Sequence, residues 1–288
     1  MVDAKPTLMR RRLGLALRTL RQRAGLSLQE ASERLGMSGP PVLSKIENGK
    51  MRVPGASLDQ YFAIYDVPES RKTEIRRLAS LASSGRRGNL LNQYRDAIDD
   101  PFADYLELEE LANHADFYAS QLIPGLLQTE EYAHAVVSSG TRWRTKREVS
   151  TFVELRMRRQ AVLRRELPLS LWCVLDEAVL RRRVGGSEVL RAQLHHLLNV
   201  QDEVPHVQLQ VMPFGLGAHA GVSAGSYTVF RFDSGDPVVV VEPLTTSLYL
   251  EEDAHVGQYE LAFNLLRARA LGTDESCAFI RKTIEELS

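Results

Sequence analysis

A chain of 288 residues with 44% hydrophobic and 25% charged residues has room for two ordinary domains and an ordinary composition. That balance excludes wholesale disorder and fibrous classes, and no apolar run approaches the roughly 18 residues of a membrane-spanning helix. The net charge of −1 hides an asymmetry: residues 1–88 carry 17 Lys and Arg against 8 Asp and Glu, leaving 19 basic against 29 acidic groups in the rest.

A basic front on an acidic body points to an anionic partner for the front. The N-terminal Met1–Arg12 stretch lacks the apolar core of a secretory signal, so a cytoplasmic protein is expected. Cys173 and Cys277 alone build neither a disulfide framework nor a zinc site.

In chain order, Leu13, Leu17 and Leu20 recur at helical spacing, and Gly25 ends that helix. Ser27 with Glu30 three residues on forms a capping box for a second helix, broken by Gly36. A third runs from Pro40 to Glu47, since proline suits a first helical turn, and Asn48-Gly49 ends it. Leu58, Tyr61, Phe62 and Tyr65 make a fourth stripe; Ile75, Leu78 and Leu81 make a fifth. The small, polar run Ser83–Asn89 falls at the change of charge and is read as the boundary.

Beyond it the pattern mixes. Residues 104–114 read as helix, and Phe117–Ile123 as a strand closed by Pro124-Gly125. Thr129 caps a helix to about Ser138, and residues 146–166 have helical spacing. Leu169–Leu175 is an apolar strand, Glu177–Arg183 and Glu188–Leu198 are helices, and His206–Met212 alternates like a half-buried strand. Strands at Ser226–Phe232 and Val238–Glu242 flank the Asp233–Asp236 turn, and helices near 252–270 and 274–286 close the chain. The expected architecture is multidomain: an all-α five-helix domain (1–84), a linker and connecting helix (85–110), and an α+β domain (111–288).

Glu30–Ile46 has the spacing of a helix-turn-helix, with Gly36 at the turn and Leu43 and Ile46 packing back onto Leu35. At Ser44-Lys45-Ile46-Glu47-Asn48-Gly49 the chain resembles the xenobiotic-response-element (XRE-type), lambda-repressor-like transcriptional regulators over residues 8–82. The resemblance implies five helices, of which the third reads double-stranded DNA. Gly39-Pro40-Pro41 makes the interval from the turn glycine one residue longer than usual in the family. Prolines lack donors, so base readout is expected from Ser38, Ser44 and Lys45, with Pro41 and Val42 on the same face and Val42 able to touch a thymine methyl. Phosphate contacts are expected from Arg10, Arg21, Arg23, Ser27, Gln29, Lys50 and Arg52, within a basic surround that includes Arg11, Arg12 and Arg18. Glu47 is expected to be structural, pairing with a helix terminus or a nearby arginine.

In the second part, Leu122–Thr129 (with Pro124, Gly125, Leu126, Leu127 and Gln128), Gln210–Phe214 and Gly217–Gly221 stand out. Together they resemble the domain of unknown function that follows the helix-turn-helix in actinobacterial antitoxin-like regulators. That resemblance implies a homodimer and a small partner protein encoded nearby, and it supplies no ligand. The partner or effector region is placed at Pro124–Gln128, Phe214 and His219.

The chain lacks a phosphate loop, a nucleophile elbow and a zinc-protease motif, so no catalytic residue, cofactor or metal is assigned. Adjacent His195 and His196 point apart on a helix, and His219 is read as a loop histidine with a backbone partner. Gly-rich 215–225 is read as a mobile loop over a pocket, Trp172 as core, Trp143 as cavity or core, and the acidic run Asp99–Glu110 as a solvated helix start. The expected function is sequence-specific transcriptional regulation by a non-enzyme. The alternatives are a small-molecule-gated repressor, an antitoxin-like protein that neutralises a partner, and an enzyme tethered to DNA.

Overall fold

The structure, a computed structural model, describes residues 7–53, 57–84, 94, 100–140, 145–233, 235–242 and 247–287. Gly85–Asn89 of the expected linker, Asp99 of the acidic run and Trp143 lie outside the described residues. The chain divides into two compact units, Met1–Asn89 and Leu90–Ser288.

The described part of the first unit holds five helices: α1 Leu8–Arg23, α2 Leu28–Arg34, α3 Pro40–Glu47, α4 Leu58–Ile64 and α5 Glu69–Ser84. Local chemistry sets their ends. Thr7 caps α1, and the Ser27–Glu30 capping box starts α2 with both reciprocal bonds made. Gly36 (φ 65°) closes α2, and Gly39 (φ 143°) lets the chain enter α3 through a backbone region that other residues rarely adopt. Pro40 and Pro41 then occupy the first helical positions, where a missing N–H is no loss.

Leu8, Leu13, Leu17, Leu43, Ile46 and Tyr61 are buried at the centre. Gly14 lets α1 and the end of α3 approach backbone to backbone: a Cβ there would stand 2.5 Å from the Glu47 carbonyl oxygen.

The second unit opens with α6 Asp100–Leu111, then β1 His114–Ala119, α7 Glu130–Ser139, α8 Lys146–Arg159 and β2 Ser170–Asp176. It continues with α9 Glu177–Arg181, α10 Ser187–Glu203, β3 Val207–Met212, α11 Ala220–Ala224, β4 Tyr227–Arg231, β5 Val238–Val241 and β6 Leu248–Leu250. Helices α12 Asp253–Arg269 and α13 Thr273–Glu285 end it. The six strands form one sheet in the order β3-β2-β1-β4-β5-β6. β1, β2 and β3 are parallel, whereas β4, β5 and β6 join antiparallel. Parallel neighbours need crossovers, which α7–α8 and α9–α10 supply. This is the all-α plus α+β architecture that the periodicity predicts.

One sheet face carries Tyr118, Val174, Val229 and Val239 against Val256, Phe263 and Leu266 of α12. The opposite face meets α6, where Tyr105 sits edge-on to Phe230 with ring centroids 5.4 Å apart. α6 is therefore a covering helix of this unit rather than a connection. Covering both faces also explains β3: alternation predicts half-burial, yet every residue but Gln208 is buried. The β3 edge is protected as well, since Val211 donates its N–H to Ser276 Oγ (2.9 Å) and accepts from Leu271 N (3.0 Å).

Two local expectations are corrected, and one strand went unread. The 215–225 segment is not a plain loop: it holds a 3₁₀ turn at Phe214–Leu216 and the short α11. Strand β6 had no sequence signal strong enough to name. The acidic run is not uniformly solvated, because Glu109 is buried in an ion pair.

Candidate nucleic-acid interface and effector region

Leu43, Ile46 and Glu47 of α3 turn inward, which leaves the other side of the helix outward. Ser38, Pro41 and Lys45 are exposed, and Val42 and Ser44 are half-buried beside them. Ser44 is already engaged: Asn48 Nδ2 donates to its carbonyl at 2.7 Å and to its Oγ at 3.3 Å. Asn48 itself is exposed. Pro41, Lys45 and Asn48 follow at i, i+4 and i+7, so they share one stripe. Sequence reasoning assigned Asn48 only to the helix end. The same spacing could have found it, and an asparagine amide is suited to an adenine edge.

The basic residues separate into two kinds. Arg21 is structural: Nε donates to Glu47 Oε1 at 2.7 Å, Nη2 to Oε2 at 3.0 Å and Nη1 to the Leu26 carbonyl at 2.8 Å. The two side chains are 9% and 4% exposed. Arg21 therefore leaves the set of expected phosphate contacts, and Glu47 takes the structural role anticipated for it. The bond to Glu47 raises the Arg21 pKa further, so its charge is permanent.

Arg23, Lys45, Lys50 and Arg52 are exposed, and no carboxylate faces them within ion-pair distance among the described residues. Arg10 and Arg52 line one shallow recess with Met51 and Val53. Arg10 Nε finds no acceptor among the described residues. Burial first, and then the nearby Arg52, lower the Arg10 pKa. Two like charges converging with no counter-ion among the described residues suit a phosphate oxygen. Ser27 is the cap of α2, and Gln29 bonds Glu33; both are exposed.

In the second unit, Pro124 and Gln128 flank a 3₁₀ turn, Gly125–Leu127, whose Leu126 and Leu127 are buried. Gln128 is pinned: its Nε2 donates to the Ile123 carbonyl at 2.6 Å, and its Oε1 accepts from Arg156 Nη1 at 2.7 Å. Gln160 Nε2 ties the turn down through the carbonyls of Gly125 (3.2 Å) and Gln128 (2.7 Å). Pro124, Gly125 and Gln128 line a cavity of about 250 Å³, and Arg156 and Arg159 stand in its wall. Neither arginine was singled out from the sequence; the only signal was two arginines three residues apart on a helix with an apolar face.

Phe214 and His219 do not line this cavity. Phe214 is 58% exposed. The His219 imidazole is buried beside Tyr118 and Asp176, and its Nδ1 accepts from Gly221 N at 3.2 Å, the backbone partner expected of a loop histidine. Trp172 donates Nε1–H to Gln210 Oε1 at 2.8 Å, and Arg267 lies over its ring. Among the described residues no cluster of three His, Cys, Asp or Glu could hold a metal, and no helix is long and apolar enough to cross a membrane.

Comparison with known proteins gives two family models. A helix-turn-helix domain matches residues 12–79, and a domain of unknown function (DUF5753) matches residues 102–282. No curated protein and no solved structure matches.

Proposed function

The chain belongs to the DUF5753 family, and from that premise, with the helix-turn-helix domain before it, we propose a homodimeric, sequence-specific transcriptional regulator of the XRE type. That it is a DNA-binding regulator follows from the helix-turn-helix domain; dimerisation, base contacts and control are the proposal. The observation that carries it is the outward stripe of α3, flanked by basic side chains that no carboxylate among the described residues neutralises.

In this reading α3 enters the major groove. Ser38, Val42, Ser44 and Lys45 face base edges, and Pro41 shapes the approach without donating. Arg10, Arg23, Ser27, Gln29, Lys50 and Arg52 meet phosphates. A dimer would read two half-sites about 34 Å apart, one helical turn of DNA. It would act in the cytoplasm, where its DNA lies. No catalytic step is part of the function.

Control is proposed to run through the second unit, by a small protein encoded nearby. The partner must bind the DNA-competent and incompetent forms unequally, or it shifts nothing. The cavity behind Pro124–Gln128 favours a second reading, in which a small molecule does the gating.

Fluorescence anisotropy on the duplex upstream of the protein's own gene, against a scrambled duplex across a salt series, tests the core proposal. The expected result is a preference of about a thousandfold or more with a steep salt slope. Equal, weak binding to both duplexes by protein and partner together would overturn it.

A further inference from the structure

The cavity of the second unit has a floor, a cover and a charge. Its floor is one row across the sheet: Phe117 pairs with Thr228, which pairs with Val240, all on the face opposite α12. Its cover is α6 and the 121–128 segment, with Leu122, 38% exposed, among the lining. Its charge comes from α8. At about 250 Å³ the space exceeds the roughly 150 Å³ that already accommodates benzene.

The two arginines of α8 stand in different situations. Arg159 is held by Glu109: Nε to Oε1 at 3.0 Å and Nη2 to Oε2 at 2.7 Å. Arg156, one turn earlier, lies over the Phe152 ring at 5.4 Å and donates Nη1 to the neutral Gln128 amide oxygen, and its buried Nε has no acceptor among the described residues. The pinning of Gln128 by the Ile123 carbonyl fixes which end of the amide faces the guanidinium.

The other nearby carboxylate, Glu242, lines the same cavity without a described ion pair to either arginine. Burial raises the Glu242 pKa against the opposing pull of Arg159 and Arg156, and burial first and then Arg159 push Arg156 down to about 10. A half-buried cation that makes no ion pair among the described residues is costly and is kept where it has an anion to meet.

We propose that this cavity binds a small monocarboxylate with an apolar, aromatic or branched body, its carboxylate held by the Arg156 guanidinium and its body lying over Phe117 and Val240. Arginine is the side chain whose planar donors match a carboxylate, and the aromatic and aliphatic lining suits a compact hydrocarbon body. This deepens the gating reading above by naming the ligand class.

The test uses the full chain without DNA, so that the site and the gating fail separately. Benzoate, phenylacetate and 4-methylpentanoate are compared with their neutral amides by thermal shift and titration calorimetry. The same measurements follow on Arg156→Gln and on Val240→Phe, which fills the floor. The expected result is saturable stabilisation by at least one acid, at least about tenfold weaker binding of its amide, and loss of the response in both variants. Amides binding as well as acids, no acid binding at millimolar concentration, or undiminished acid binding by folded Arg156→Gln overturns the site. If Arg156→Gln does not fold, Val240→Phe and the amide comparison decide it by the same criteria. Acid binding that leaves DNA affinity unchanged keeps the site and removes only the gating reading.

Discussion

Each unit of this protein buries an arginine side-on against a glutamate, and the two pairs are built alike but used differently. In the first unit Arg21 and Glu47 stand alone: both carboxylate oxygens are taken, and a third arginine nitrogen bonds the Leu26 carbonyl. In the second, Arg159 and Glu109 make the same two-pronged contact. One turn away Arg156 adds a second guanidinium that makes no ion pair among the described residues, with Glu242 lining the same cavity. A saturated pair is a rivet. A second guanidinium in a cavity wall, outside any ion pair among the described residues, is an offer to an anion. What distinguishes the two pairs is this neighbour, since the geometry of the pairs is the same.

The largest effects come from breaking either rivet. Removing one partner of a buried pair leaves the other charge uncompensated and costs about 3–5 kcal/mol. Glu47→Ala should therefore destabilise the first unit by that amount, read from urea unfolding of the full chain. Glu109→Ala should cost the second unit at least as much, because it leaves two guanidiniums with only the half-engaged Glu242 near them. If Glu109→Ala were the milder of the two, Glu242 would be compensating both arginines, and the contrast between the pairs would disappear.

Gly14→Ala tests the first unit without touching a charge. Its Cβ would lie 2.5 Å from the Glu47 carbonyl oxygen and 2.7 Å from that of Ile46. Both are backbone atoms, so α1 and α3 must move apart, at a cost of about 1–3 kcal/mol. Thermal unfolding should show the loss. An unchanged first unit would mean that the α1–α3 packing is looser than its geometry, and that Glu47 could follow a displaced Arg21.

The contrast also tells how much the sequence could say. The helices of the first unit were legible because local signals set their ends: the Ser27–Glu30 box, the two prolines opening α3, and glycine after α2. Most strands of the second unit were legible from apolar runs. β3 was misread as half-buried because alternating Gln208 and Gln210 look like a solvent face, yet Gln210 is buried where its Nε2 meets the Arg267 and Leu271 carbonyls at the end of α12. The cavity was legible in one part only. Pro124-Gly125 and Gln128 announced a turn, but Glu109, Arg156 and Glu242 meet through folding, across more than a hundred residues of chain. The run Asp99–Glu110 looked solvated because charge runs usually are, and nothing local marks Glu109 as the acid that turns inward.

The smallest effects concern the unneutralised cations of the first unit, and here stability should hardly move. Arg52 is exposed, and its replacement by glutamine should change folding by less than about 0.5 kcal/mol. If Arg52 and Arg10 meet a phosphate, Arg52→Gln should lower the slope of log affinity against log salt by about 0.9. It should weaken native and scrambled duplexes alike. Lys45→Ala should behave otherwise, losing affinity mainly on the native duplex, because Lys45 lies on the outward stripe of α3 with Pro41 and Asn48. The two variants separate a charge that positions from a charge that reads. Should both lower affinity equally on both duplexes, α3 would contribute only electrostatics, and the two prolines at its start would have taken base readout from the helix. Should Lys45→Ala alone reduce the preference for the native duplex, the extra residue before α3 shifts the reading stripe along the helix and leaves it in use.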